Sequence, residues 1–147
     1  MYRVREGELE FLLVHPGGPL WAGKDAGIWS IPKGEIHPGE DLLEAAKREF
    51  GEELGFKPNG SFVPLSPIKQ KSGKIVHAWA LAGDCDPATI RSNTFSMEWP
   101  PHSGRTSTFP EVDRAAFFNL EQAKPRINPA QVPLLEDLRL KLACGLE

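Results

Sequence analysis

Three glutamates, Glu49, Glu52 and Glu53, stand close together in a segment with helical character, and their spacing suggests metal chemistry. At about 100° of rotation per residue, Glu53 lies roughly 40° around from Glu49, and Glu52 lies about 60° the other way. Like charges at such spacing repel, and each pair costs on the order of 0.2–0.5 kcal/mol. Gly51 costs the same helix about 1 kcal/mol relative to alanine. The simplest compensation for these penalties is a hard divalent cation bound by oxygen.

A helix over residues 41–54 is predicted to carry these glutamates. The apolar residues that recur at helical spacing and could face a core are Leu43, Ala46, Phe50 and Leu54. Pro38 and Gly39 supply a turn before the helix, and Gly55 is placed to stop it. The carboxylates would therefore project from a short amphipathic helix that is anchored on one side.

The glutamates belong to a longer pattern. A glycine is followed, after five residues, by a glutamate and, after seven more, by Arg-Glu, an apolar residue, any residue, Glu-Glu, any residue, Gly and an apolar residue. Its fixed positions are Gly34, Glu40, Arg48, Glu49, Phe50, Glu52, Glu53, Gly55 and Phe56. This is the Nudix box, and the chain resembles the Nudix hydrolases in all nine positions. The alternative is an amphipathic helix with a solvated acidic face.

Strands are predicted on both sides of the box. One strand over residues 8–15 ends at the turn 16–19, and a short strand at 28–31 precedes the box. Behind the box, the sequence predicts a hairpin of residues 62–70 and 75–82, a strand at 95–99, a loop at 100–110 and a strand at 112–120.

A second helix is predicted in the tail from Pro129, with Pro133 in its first turn. Its apolar face would consist of Leu134, Leu135, Leu138 and Leu142. The prediction is one α/β domain over residues 1–147 and, by the resemblance, an α/β/α sandwich with a mixed central sheet. Nudix domains usually begin with a longer strand ahead of Arg3, so the first strand is expected to be short or incomplete.

Composition restricts the partners. The net charge of −3 argues against a protein that coats nucleic acid, and no apolar run approaches the length of a membrane span. Cys85 and Cys144 are too few for a disulfide framework, which favours reduced thiols in a cytoplasmic protein. We therefore expect a small-molecule nucleotide as partner, no nucleic acid or membrane, and a monomer or homodimer.

The resemblance implies hydrolysis of a pyrophosphate linkage with Mg²⁺ or Mn²⁺. It implies that Glu49 and Glu53 are the principal metal ligands, with Glu52 close behind and the backbone carbonyl of Lys33 as an extra ligand. Glu52 and Glu53 would thereby take part in catalysis. Arg48 would orient one of these carboxylates, the alternative being a surface salt bridge of little value.

The family often recruits a further glutamate from outside the box as ligand or general base. Two candidates stand behind the box, Glu98 and Glu111. Glu111 lies where the loop returns into the strand at 112–120, whereas Glu98 lies between Met97 and Trp99 in a strand and could point to solvent. Glu111 is therefore the favoured catalytic candidate.

The substrate-binding candidates are Lys33, Lys71, Trp99 and Arg105. Lys33, next to the box, resembles the lysine of enzymes that act on dinucleoside polyphosphates, and Trp99 could stack an adenine beside a phosphate held by Arg105. The alternatives are a solvated hairpin for Lys71 and a structural loop for Trp99 and Arg105.

The favoured function is hydrolysis of a dinucleoside polyphosphate such as diadenosine tetraphosphate. Rival substrates are a nucleoside or deoxynucleoside triphosphate, ADP-ribose or a nucleotide sugar, and an RNA 5′ end, which would need a basic track. A catalytically silent Nudix regulator is a further alternative, although such proteins typically lose box glutamates that this chain retains.

Overall fold

The computed structural model describes residues 1–145, so residues 146 and 147 of the predicted domain lie outside the described residues. The elements in chain order are β1 (Tyr2–Arg5), β2 (Glu8–Pro16), α1 (Leu42–Leu54), β3 (Phe62–Pro64), β4 (Ile68–Lys69), β5 (Ile75–Val76), β6 (Trp79–Leu81), β7 (Thr94–Glu98), β8 (Thr106–Pro110), β9 (Val112–Asn119), α2 (Leu120–Ala123) and α3 (Val132–Ala143). Within residues 1–145, no helix has the length and apolar character needed to cross a membrane.

The central sheet has the order β1-β2-β9 and is antiparallel. A parallel bridge between Tyr2 and Ala82 connects β1 to the second ladder, β3-β6, so the sheet is mixed as predicted. Side chains of β2 alternate between two cores, because successive residues of a strand point to opposite faces. Phe11 and Leu13 join one core, and Leu12 and Val14 join the other.

One helix covers each face of the sheet. Phe50 and Leu54 of α1 pack in the core that contains Leu12 and Val14. Leu135 and Leu138 of α3 pack in the opposite core. This arrangement confirms the predicted α/β/α sandwich, including the tail helix with Pro133 in its first turn.

The caps of α1 explain its bounds. The carboxylate of Asp41 accepts hydrogen bonds from the backbone N–H groups of Leu43 and Glu44, both at 3.2 Å. Gly55 adopts a left-handed conformation, with φ of 84°, and ends the helix as predicted. The buried face differs from the predicted one: Ala45 and Glu53 are buried beside the two large apolar residues, whereas the predicted Leu43 and Ala46 are half-buried.

Three predicted segments differ in extent. Residues 28–31 form only isolated bridges, from Ser30 to Val14 and from Trp29 to Ile127. The hairpin after the box is broken into the short pairs β3-β6 and β4-β5. The predicted loop at 100–110 was wrong in its second half, because β8 pairs with β7 along its whole length. The alternation in β8 is concealed by the turn-forming residues before it.

Candidate active site

Glu53 is the most deeply buried carboxylate of the box, with 8% of its surface exposed. It lies on the inner side of α1, where its Oε1 accepts a hydrogen bond of 3.0 Å from the backbone N–H of Lys33. Burial raises the pKa of Glu53 to about 7, although the Lys33 bond opposes this, and the nearby charges of Glu49 and Glu111 raise it further. The site therefore holds a carboxylate whose charge is poorly compensated.

Glu49 lies one turn earlier on the same side of α1 and is closely enclosed. A Cβ atom on Gly34 would overlap its carboxylate carbon, so the box glycine is needed here to leave room for this side chain. Its Oε1 accepts a hydrogen bond of 2.8 Å from Arg48. Burial raises the pKa of Glu49, the Arg48 bond opposes the change, and the charge of Glu52 adds to it.

Arg48 ties the preceding loop to the helix. Its Nε and Nη2 donate to the carboxylate of Glu40 at 2.8 and 3.0 Å, and its Nη1 also donates to Glu52 at 3.0 Å. Glu40 in turn accepts from the backbone N–H of His37 at 2.9 Å. The Arg48 bonds lower the pKa of Glu40 to about 2. We call Glu40, Arg48 and Glu52 the outer network.

A cavity of about 390 Å³ opens on the inner side of α1. It is lined by Val14, Pro16, Trp21, Gly27, Ile28, Ser30, Lys33, Glu53, Glu111, Val112 and Asn128. Glu111 lies between β8 and β9, where its backbone carbonyl accepts from Gly17 and its backbone N–H donates to Asn93. We call Glu49, Glu53 and Glu111 the cavity carboxylates. Glu53 and Glu111 line the cavity, and the charge of Glu49 lies near enough to raise the pKa of Glu53.

Glu98, the other candidate from outside the box, is engaged elsewhere. Its Oε1 accepts from the backbone N–H of His102 at 2.9 Å and its Oε2 from that of Gly104 at 3.3 Å. Both bonds stabilise the turn between β7 and β8. The arrangement brings Glu111, and not Glu98, to the cavity.

The structure brings some candidates together and separates others. Lys33 lines the cavity with Glu53, whereas Lys71, Trp99 and Arg105 are not among its lining residues. Glu52 lines a more open groove of about 660 Å³ on the outer side of α1, together with Arg48, Lys57 and Arg91. Within residues 1–145, no three carboxylate, histidine or cysteine side chains converge as ligands of one ion in this arrangement.

Trp21 and Asn128 line the cavity and were missed by the sequence analysis. Trp21 follows the turn that ends β2, in a loop that sequence alone does not orient. A partial signal was available in the sequence, because Trp21 stands between glycines, outside any predicted helix or strand.

Comparison with known proteins gives a consistent family. The NUDIX domain model matches residues 1–138. In a crystal structure, an Ap4A hydrolase of C. elegans in a binary complex is 25% identical to this chain, with a TM-score of 0.63, and the match covers 97% of this chain and 93% of that one. An RNA pyrophosphohydrolase of Rhodopseudomonas palustris (strain HaA2) is 36% identical over 55 residues, 31% of this chain and 33% of the relative.

A CTP pyrophosphohydrolase of Escherichia coli (strain K12) is 36% identical over 56 residues, 37% of this chain. The curated relatives are matched over only part of their length. The match covers 42% of the CTP pyrophosphohydrolase and 18% of an octanoyltransferase of Myxococcus xanthus.

Proposed function

The chain belongs to the Nudix family, and we propose that it is a pyrophosphohydrolase that cleaves a phosphoric anhydride linkage in a nucleoside polyphosphate with the help of Mg²⁺ or Mn²⁺. The observation that carries this proposal is the group of cavity carboxylates, in which burial raises the pKa of Glu53 and the charges of Glu49 and Glu111 add to the rise. Among the described residues that line the cavity, Lys33 is the only basic one. Apart from Arg48, which is bonded to Glu49, the lining residues therefore supply little positive charge to balance these carboxylates.

The donors at this site suit a divalent cation. Mg²⁺ and Mn²⁺ prefer carboxylate, carbonyl and water oxygens. We assign the ion to Glu49 and Glu53, with the carbonyl of Lys33 as a further donor and with Glu52, which lies on the outer side, as a donor through a bound water. Glu53 Oε1 is occupied by the Lys33 N–H, whereas its Oε2 has no hydrogen-bond partner within residues 1–145. A bound ion would neutralise phosphate charge and lower the pKa of a bound water.

Other residues would act on the substrate and its surroundings. Glu111, which lines the cavity together with Glu53, is our candidate for the general base that receives a proton from the attacking water. The side chain of Lys33 would contact a phosphate. Arg48 would hold Glu49 and Glu52 in place through its bonds to both.

We propose a dinucleoside polyphosphate, such as diadenosine tetraphosphate, as the substrate. The cavity is of a size that holds a small ligand, and Trp21 contributes an aromatic side chain on which a base could stack. The outer groove contains Lys57 and Arg91, which could hold phosphates of a longer substrate. The likeness to the C. elegans Ap4A hydrolase over nearly the whole chain supports the same choice.

Two other substrates have specific support. The E. coli relative that acts on CTP favours a single nucleoside triphosphate. The RNA pyrophosphohydrolase relatives favour an RNA 5′ end, but the net charge of −3 provides no extended basic track for RNA. A silent regulator is disfavoured because Glu49, Glu52 and Glu53 are all present.

A panel of nucleotides tests the proposal. Diadenosine tetraphosphate, ATP, CTP, dGTP, ADP-ribose and a short 5′-triphosphorylated RNA are incubated with the protein and Mg²⁺, and the products are separated by liquid chromatography. We expect the dinucleotide to have the highest kcat/KM. If a triphosphate or ADP-ribose exceeds it by about tenfold, the substrate is wrong and the hydrolase chemistry stands; if no anhydride is cleaved, the proposed function is wrong.

Two tryptophan variants locate the base. Stacking of a base on an aromatic side chain is worth roughly 1–3 kcal/mol. W21A should therefore raise KM for diadenosine tetraphosphate if the base lies in the cavity, and W99A should do so if the sequence-based prediction of Trp99 is right. Inorganic tetraphosphate, which carries no base, is the control whose KM neither variant should change.

A further inference from the structure

His15 is completely buried at the end of β2, and both of its ring nitrogens are hydrogen-bonded. Nδ1 lies 2.8 Å from Oδ1 of Asp113, and Nε2 lies 2.6 Å from the backbone carbonyl oxygen of Lys24. The edge of the ring also packs against Trp29, with the ring centroids 5.1 Å apart. A carbonyl oxygen can only accept a hydrogen bond, so Nε2 carries a hydrogen and donates a hydrogen bond to the carbonyl oxygen of Lys24.

The bond to Asp113 depends on an irregularity of the sheet. His15 pairs with Arg114, but the next residue, Pro16, pairs with Val112, so Asp113 is an extra residue in β9. Bulges of this kind redirect side chains and are common beside functional sites. Here the bulge places the Asp113 carboxylate against the imidazole ring and fixes the ring's orientation.

The bond to Lys24 reaches into the loop of residues 17–27, which we call the Trp21 loop. Lys24 donates its backbone N–H to the carbonyl of Trp21 at 2.9 Å, so His15 is connected through Lys24 to the tryptophan of the cavity wall. Residues 20–26 are exposed, which leaves the loop with little packing of its own. Asp25 provides a separate anchor through a 2.6 Å bond from Trp29 Nε1.

We infer that His15 is a positioning residue for the proposed substrate: by holding the carbonyl of Lys24, it fixes the Trp21 loop as a wall of the cavity. This inference rests on the proposed function for its effect on catalysis. His15 does not line the cavity itself. Its loss should weaken binding of the nucleoside end and leave the cavity carboxylates, and hence the chemical step, largely unchanged.

A matched pair of variants separates the two bonds of His15. The amide nitrogen of asparagine comes to the place of Nδ1, and that of glutamine reaches the place of Nε2. H15N should therefore lose the Lys24 bond, and H15Q should keep it. For H15N with diadenosine tetraphosphate and Mg²⁺, we expect KM to rise about three- to tenfold with kcat within about twofold, since a net hydrogen bond has that value. Hydrogen exchange of the amides in residues 18–25 should become faster.

H15Q should restore both KM and amide exchange to near the wild-type values. Equal behaviour of H15N and H15Q, or a fall in kcat without a rise in KM, would overturn the inference. D113N leaves the Nε2 bond in place, so a D113N protein as impaired as H15N would also overturn it. If H15N does not fold, H15F, which fills the same space without a donor, must show the same rise in KM and exchange.

The exchange measurement distinguishes this inference from the proposed function. A wild-type protein that hydrolyses no nucleotide would refute the function, while the difference in loop exchange between H15N and H15Q would still decide whether His15 holds the Trp21 loop. An active enzyme with identical exchange in both variants would refute the role of His15 alone.

Discussion

On the outer side of α1, Arg48 binds Glu40, Glu49 and Glu52 with five hydrogen bonds, whereas on the inner side Glu53 accepts only the backbone N–H of Lys33. The same helix thus carries carboxylates that Arg48 neutralises and, at Glu53, a carboxylate without an ion-pair partner among residues 1–145. Glu49 connects the two groups, because it is bonded to Arg48 and its charge acts on Glu53.

The two groups respond to their surroundings in opposite ways. The guanidinium of Arg48 lowers the pKa of Glu40, and burial raises the pKa of Glu53. A carboxylate with a lowered pKa is stabilised by its fold and is suited to a structural role. A buried carboxylate with a raised pKa costs stability when ionised, and such groups mark sites that bind an external cation or exchange a proton.

The largest effect on turnover is expected from a change in the cavity carboxylates. E53Q retains an oxygen for the Lys33 N–H but removes the charge, so turnover with saturating Mg²⁺ should fall by at least about a hundredfold. E44Q, an exposed position on the same helix, is the matched control and should remain within about twofold. Both are measured by steady-state kinetics after circular dichroism has established the fold. An E53Q enzyme with wild-type turnover would remove Glu53 from the proposed site.

Divalent metal should stabilise the protein through the same group. An ion that binds only the folded state adds about 2.7 kcal/mol at a hundredfold excess over its Kd. Millimolar Mg²⁺ or Mn²⁺ should therefore raise the Tm, chelator should reverse the rise, and E53Q should show little of it. Identical melting curves of the wild-type protein in chelator and in metal would argue that the cavity carboxylates do not form a metal site.

The metal-free protein should lose stability as pH rises. The pKa of Glu53 is about 7 in the fold and near 4.5 when unfolded, so the folded state retains a proton that the unfolded state releases. The contribution of Glu53 to the free energy of unfolding is on the order of 1–3 kcal/mol. It is fully present below about pH 4.5 and is lost as pH rises through 7. Denaturant unfolding in chelator at pH 5 and pH 8 should show this loss in the wild-type protein and a smaller one in E53Q. Equal losses in the two proteins would contradict the assignment.

The sequence predicts the outer network better than the cavity carboxylates. The bounds of α1 and the pairing of Arg48 with nearby carboxylates depend on residues close in the chain, such as the caps Asp41 and Gly55, and local patterns determine them. A helical projection also places Glu49 and Glu53 on one side. It does not reveal that this side is buried, because the burial of Glu53 depends on the loop at Lys33, 20 residues away.

The cavity depends on still longer contacts. Glu111 reaches it because Gly17 and Asn93 hold its backbone from two other segments. The pair of His15 and Asp113 joins residues 98 positions apart across a bulge that no local pattern indicates. Sequence thus identifies which residues have the chemistry, and the tertiary structure decides which of them meet.

The smallest effect on turnover is expected from a change in the outer network. E40Q removes the charge that holds two donors of Arg48, but Arg48 keeps Glu49 and Glu52, so turnover should fall only about three- to tenfold, at or below the lower range for residues that orient metal ligands. A loss as large as that of E53Q would mean that the two groups are not separate.

The pH dependence of E40Q completes the comparison. The pKa of Glu40 is lowered to about 2 in the fold, so its stabilising contribution is present above about pH 4.5 and is lost as pH falls through 2. The difference in Tm between the wild-type protein and E40Q should therefore be largest near neutral pH and should shrink in acid. For E53Q in chelator the sign is reversed, because that variant should gain on the wild-type protein as pH rises. Melting curves of both variants across the same pH series test these opposite pH dependences. If the Tm differences of E40Q and E53Q from the wild-type protein follow the same trend, Arg48 and burial do not act on the two carboxylates in opposite directions.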